Sequence, residues 1–241
     1  MKPRIVATLV AMTAVAAYFG ACNVPQPSAG CPVAHGPYVF TYSLKSGTGT
    51  CSQLKAEQVG MEKYNVPGTD NNTVAIQPEG LGNEIGTRDP INPADKPYAI
   101  AKLASLPNAD GFCAMETATT SESFAQVLPD DGGTTPDLTA RTVTYEWSNM
   151  KILANANIPG TVLSADLKYT ENGCTAEYSA VGLWPPVKCA TDDDCDPKPN
   201  LDAGRALGSG INPTLPVRCN MDTKYCELKQ TPAELAAAQK K

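Results

Sequence analysis

The sequence predicts an all-β chain: an antiparallel β-sandwich or barrel-like domain with a small disulfide-rich C-terminal module. Three observations carry that expectation. Asn172-Gly173 stands between two runs of alternating apolar and polar residues, the strongest short hairpin signal. Pro (21) and Gly (19) are abundant while aromatics make up only 6%, which favours many turns and short strands over a helical bundle. Nine cysteines stand at 22, 31, 51, 113, 174, 189, 195, 219 and 226, the last four within a stretch poor in apolar residues.

The N-terminus sets the context. Met1-Lys-Pro-Arg4 is basic, Ile5 to Ala21 carries no charge, and Gly20-Ala21-Cys22 closes the run with small residues. A basic end, an apolar middle and a small-residue cut site describe an export signal over residues 1–21. The apolar run falls short of the roughly 20 residues a spanning helix needs. A plain secreted signal and an uncleaved anchor are the other readings. The ending Phe19-Gly20-Ala21-Cys22 resembles the lipobox of bacterial lipoproteins, although an aliphatic residue usually stands at the Phe19 position. That resemblance implies acylation of Cys22, cleavage before it, and attachment to the membrane through lipid. Asn23, where an Asp would retain many such proteins at the inner membrane, implies sorting to the outer membrane of the cell envelope.

Removing residues 1–21 takes away Lys2 and Arg4, so 19 basic residues become 17 against 25 acidic ones, a net charge of −8 instead of −6. Such a chain argues against nucleic acid as a partner. With Cys22 lipidated, eight cysteines remain: Cys31, Cys51, Cys113, Cys174, Cys189, Cys195, Cys219 and Cys226. An exported chain meets oxidising conditions, so four disulfides are expected, with connectivity left open. No CxxC occurs, which weakens redox and zinc readings.

Residues 22–37, with Pro25, Pro27 and Pro32, read as a tether or as a strap pinned by Cys31. Residues 38–188 form the β-domain. Tyr38–Lys45 reads as a strand. Cys51 to about Gln58 reads as a short helix begun by Ser52, with a strand after Gly60. Val66–Pro97 reads as long surface loops; its Asn71-Asn72-Thr73 matches a glycosylation sequon by chance. Tyr98–Leu106 is a strand or a short helix, Phe112–Glu116 and Phe124–Leu128 are strands, and Pro129–Pro136 is a loop.

A two-residue turn at Asn172-Gly173 pairs Glu171 with Cys174, Tyr169 with Ala176, Leu167 with Tyr178 and Ala165 with Ala180. Lys168 then meets Glu177 on the polar face. A one-residue slip would set apolar against polar residues. A second turn at Ser148-Asn149 would pair Trp147 with Met150, Tyr145 with Ile152 and Glu146 with Lys151, giving a four-stranded meander. Pro185-Pro186 ends it. Residues 189–228 form the cysteine-rich module, which lacks the apolar surface to fold without staples. In residues 229–241, Thr231-Pro232-Ala233-Glu234 is a capping-box arrangement that predicts a short peripheral helix.

Catalytic patterns are missing. His35 is the single histidine and stands in the tether beside Gly36-Pro37, a poor place for a triad base. No GxSxG, HExxH or P-loop pattern appears. Asp192-Asp193-Asp194-Cys195-Asp196 would suit calcium, but Pro197 stands where an EF-hand needs glycine, so a solvated acidic loop is expected and neither metal nor cofactor. Asp130-Asp131 reads as a turn rather than a hydrolase pair. Trp147 and Trp184 read as core. The meander followed by GLWPPVKC and the DDDC cluster resembles cysteine-rich envelope lipoproteins of large-genome Gram-negative bacteria. The expectation is a membrane-tethered, non-catalytic protein that binds an envelope or extracellular partner or has a structural role. The alternative is a carbohydrate-binding module or an Asp/Glu-dependent glycoside hydrolase.

Overall fold

The computed structural model describes residues 30–65, 71–86, 95–116, 119–125, 141–202, 204 and 206–238. Among the described residues, nine strands form one antiparallel sheet: β1 (Gly36–Ser46), β2 (Ala56–Asn65), β3 (Asn72–Pro78), β4 (Ala99–Leu103), β5 (Phe112–Glu116), β6 (Ser121–Ala125), β7 (Arg141–Ala154), β8 (Pro159–Glu171) and β9 (Cys174–Leu183). The sheet closes on itself. β9 pairs with β1, and β5 bridges β4 to β7. β5 and β6 lie along the same edge of β7, Phe112–Met115 opposite Leu153–Met150 and Ser121–Ala125 opposite Tyr145–Arg141. They act as two pieces of one interrupted strand. The result is an eight-position, up-and-down barrel in which each strand neighbours the next in sequence, an arrangement that leaves few open edges. Of the two expected all-β architectures, the barrel is the one formed.

Alternation decides what fills it. Tyr38, Phe40 and Tyr42 of β1 point inward with Tyr145 and Trp147 of β7 and Tyr169 of β8. Tyr145 meets Tyr169 edge-on at 5.1 Å between ring centroids and Phe40 meets Trp147 at 5.5 Å, the offset contacts aromatic quadrupoles favour. Gly182 faces the same interior, and a Cβ there would come within 2.9 Å of Leu163.

The β8–β9 hairpin has the expected register, Glu171 opposite Cys174 through Ala165 opposite Ala180. Asn172 (φ 49°) and Gly173 (φ 81°) both take the left-handed region that a type I′ turn demands. The expected turn at Ser148-Asn149 is not one. It is a β-bulge inside the 14-residue β7: the partner of Ser148 is Asp166 and that of Lys151 is Ser164, one extra residue on β7. Trp147 therefore pairs with Leu167, and Glu146 pairs with Lys168, at 2.7 Å between charged groups, instead of Lys151. The meander has three long strands, not four.

Three further expectations change. The helix expected from Cys51 is one 3-10 turn, Thr50–Gln53, and β2 begins already at Ala56. The expected loops of 66–97 hold β3 and helix α1 (Glu79–Gly86), because Val74, Ile76 and Leu81 are fully buried. The strand expected at Phe124–Leu128 is Ser121–Ala125 as far as it is described, and the expected loop Pro129–Pro136 lies outside the described residues.

From residue 30 the chain is a strap across one end of the barrel. Ala34 donates its N–H to the Gly160 carbonyl at 3.1 Å, as the Tyr38 hydroxyl does at 2.6 Å. Gly160 has φ 72°, and a Cβ on it would come within 2.2 Å of the Pro32 carbonyl oxygen. Beyond β9, the β10 (Val217–Asn220) and β11 (Tyr225–Leu228) hairpin and helix α2 (Pro232–Ala238) pack on the outside. Val39, Leu153, Val162 and Leu183 of the barrel share a buried cluster with Ile211, Leu215 and Leu235. The capping box of α2 forms, with the Thr231 N–H and the Glu234 carboxylate 2.8 Å apart. Leu235 and Ala236 are buried, so α2 is seated rather than peripheral.

Candidate functional site

The cysteines fix the frame first. Cys31 bonds Cys113, Cys51 bonds Cys174, Cys189 bonds Cys219 and Cys195 bonds Cys226. The sulfurs of Cys189, Cys195 and Cys226 lie within 4.8 Å of one another. That trio is two disulfides packed side by side, so it offers no thiolate to a metal. Cys22 lies outside the described residues.

The acidic loop is solvent-exposed as expected, with Asp192, Asp193 and Asp196 all exposed, and its carboxylates also hold backbone donors. Asp194 Oδ2 accepts the N–H groups of Ala190 and Thr191 at 2.6 and 2.9 Å, Asp192 Oδ1 accepts that of Cys219 at 2.8 Å, and Asp196 Oδ1 accepts that of Lys198 at 2.8 Å. These carboxylates cap backbone donors that the short, stapled segment leaves over. Asp130-Asp131 lies outside the described residues. Trp147 is 4% exposed inside the barrel. Trp184 is half-buried and donates its indole N–H to the His35 carbonyl at 3.2 Å. Trp147 offers no face to a ligand, and Trp184 packs partly buried against the core. His35 is exposed and ion-paired to Glu62.

Two features were not visible in the sequence. The first is Glu57, an inward-facing carboxylate on β2, opposite Phe40. It accepts the Tyr42 hydroxyl at 2.8 Å, the Tyr145 hydroxyl at 3.3 Å and the Gly80 N–H of α1 at 3.3 Å. Desolvation raises its pKa above the ordinary glutamate value and outweighs these three donors, each of which lowers it. Burial and the neighbouring carboxylate push the Tyr42 and Tyr145 hydroxyls well upward. Glu57 thus ties α1 to the barrel mouth. Its phase with Val59 and Met61, both inward, was the available signal.

The second is a groove of about 530 Å³ on the outer face of β2, β3 and β4. Register places it. Pro37, Gly60 and Gln77 make one row across β1, β2 and β3, and Glu62, Ala75 and Ile100 make the next across β2, β3 and β4. Gly60 and Ala75 form the floor. Tyr64 (56% exposed), Tyr98 (49%) and Ile100 (42%) stand around it. Gly60 has no positive φ, and a Cβ there would meet nothing nearer than the Gln77 carbonyl at 3.7 Å. Neither backbone conformation nor close packing requires glycine in this strand interior. Gly costs roughly 0.5–1 kcal/mol relative to Ala in such a position.

A sequence profile of the MlpA family matches residues 36–185, from the first residue of β1 to just past β9. The family unit is therefore the barrel. The chain is also 30% identical over 239 residues to the Myxococcus xanthus protein named "Putative lipoprotein MlpA", covering 94% of this chain and 96% of that one. The chain belongs to the MlpA family. It is thereby a bacterial lipoprotein, and the match to the relative extends across the cysteine-rich module as well. No solved structure matches it. Both Glu57 and the groove lie within the part the MlpA profile covers.

Proposed function

We propose that this MlpA-family chain is an envelope lipoprotein, held to the outer membrane through lipid on Cys22, whose barrel binds a partner without turning it over. The observation that supports the reading is Gly60. A glycine that no local geometry requires, at the floor of a groove rimmed by exposed tyrosines, gives up strand stability to keep a surface concave. Cys22 precedes Cys31 by nine residues, a reach of about 30 Å at most. Tyr64 and the strap belong to the same end of the barrel, since Lys63 donates its ammonium to the Cys31 carbonyl at 2.9 Å. The groove therefore lies on the flank of the barrel, with Gly36 and Tyr64 of its lining at the strap end. A hydrolase would need two carboxylates across a cleft. Among the groove's described lining residues Glu62 is the one carboxylate, and it is already paired with His35.

The test is Gly60→Val, which fills the floor. The isolated chain should become more stable in urea, by up to about 1 kcal/mol. A photo-crosslinker at Gln77 should lose its envelope adduct in the same variant. An adduct at Gln77 no stronger than at Glu146 on the far side, or one that survives Gly60→Val, overturns groove binding. Cys22→Ala should move the protein out of the membrane fraction, and retention there overturns the lipid tether.

A further inference from the structure

We infer that the groove takes a neutral glycan, with sugar rings lying on Tyr64 and Tyr98. The inference rests on the groove-binding reading and names its ligand class. No Lys or Arg is among the described lining residues; the exposed Lys102 stands outside them, across Thr73 from Tyr64, so the lining itself holds no cation for a phosphate or a carboxylate. An apolar ligand would leave the polar members unmatched. The exposed Gln77 side chain leaves the row of the floor glycine, its amide reaching toward Gly82 of α1 at the groove's edge, and offers both a donor and an acceptor. Glu62 offers carboxylate oxygens, held in place by its pair with His35. The two tyrosine rings add flat faces for C–H groups and hydroxyls for the rim. Hydroxyl groups around a ring with apolar faces answer all of these at once. Small residues at Gly60 and Ala75 leave room for the ring to lie down between them.

The probes are chitotetraose, cellotetraose and maltotetraose, titrated into the full mature chain and followed by tyrosine fluorescence and calorimetry. At least one should bind. Tyr64→Ala and Tyr98→Ala should each weaken it tenfold or more, and Gln77→Ala comparably, while urea midpoints stay near wild type because all three side chains are exposed. Gly60→Val should abolish binding while raising the midpoint, a combination that misfolding does not produce. Binding of no probe at millimolar concentration overturns the glycan, as does binding that survives both tyrosine changes. If the probes fail while the Gln77 crosslinker still captures a partner sensitive to Gly60→Val, the glycan falls and the groove stands. If the crosslinker also fails, both fall.

Discussion

Glu57 places a carboxylate among the tyrosine hydroxyls of the barrel interior. Its native pKa lies above the usual 4.5 because burial disfavours the charge. The protonated form is therefore favoured by folding. Its contribution to stability is complete below the ordinary glutamate value and is lost as pH rises through the raised native value. The difference in urea midpoint between wild type and Glu57→Gln should move in favour of the variant as pH rises from 4 to 8. Parallel curves would show that the carboxyl does not titrate with folding. At the same scale, Gly160→Ala should be severe, because the added methyl meets the Pro32 carbonyl and φ is 72°. The strap, still held at Cys31 by its disulfide, should loosen between Cys31 and β1, making trypsin cleavage near Lys63 faster. Unchanged cleavage would mean the strap does not depend on that contact.

Among the elements, β7 shows what sequence can and cannot fix. Val143, Tyr145, Trp147, Met150 and Ile152 all face the core. A turn at Ser148-Asn149 and a bulge there give this same set of inward residues, so the hydrophobic pattern cannot choose between them. Pairing with β8 chooses. The bulge is held by Asn149, whose amide donates to Asp166 at 2.7 Å while Lys45 holds the other oxygen at 2.5 Å. Those two contacts keep the Asp166 carboxyl below the usual range. Asn149→Val should cost about 1–2 kcal/mol, because a β-branched residue resists φ 50°; equilibrium unfolding in urea would measure it. The Asn172-Gly173 hairpin was legible because its turn chemistry and its pattern agree within twenty residues. β3 was hidden, since Val74 and Ile76 are its only large apolar residues amid Pro, Gly and Asn. The groove was hidden for a different reason. It is made by missing side chains at Gly60 and Ala75, on strands whose register is set at long range.

At the scale of the whole molecule, the disulfides staple both ends of the barrel. Cys31–Cys113 closes 82 residues at the strap end, and Cys51–Cys174 closes 123 at the β8–β9 turn end. Loops of that length correspond to about 4–5 kcal/mol each from chain entropy. Cys51→Ala with Cys174→Ala should lower stability by an amount of that order, measured by urea denaturation under non-reducing conditions. The cysteine-rich module is a cover as much as an appendage. Cutting the chain after Pro186 would bare Val39, Leu153, Val162 and Leu183. The truncated protein should bind an apolar dye that the full chain does not. Equal dye binding would mean the shared cluster contributes little.

The Cys31–Cys113 bond also decides how the molecule bears tension. A pull on the N-terminal side enters at Cys31, and from there two routes share it: along the backbone into β1, and through sulfur into β5, four strands away around the wall. With the disulfide closed, β1 cannot be drawn out and peeled from β2 and β9 one hydrogen bond at a time. Load that enters at Cys31 is spread across the wall of a closed cylinder. Reducing that one bond would turn a shear-resistant attachment into a zipper.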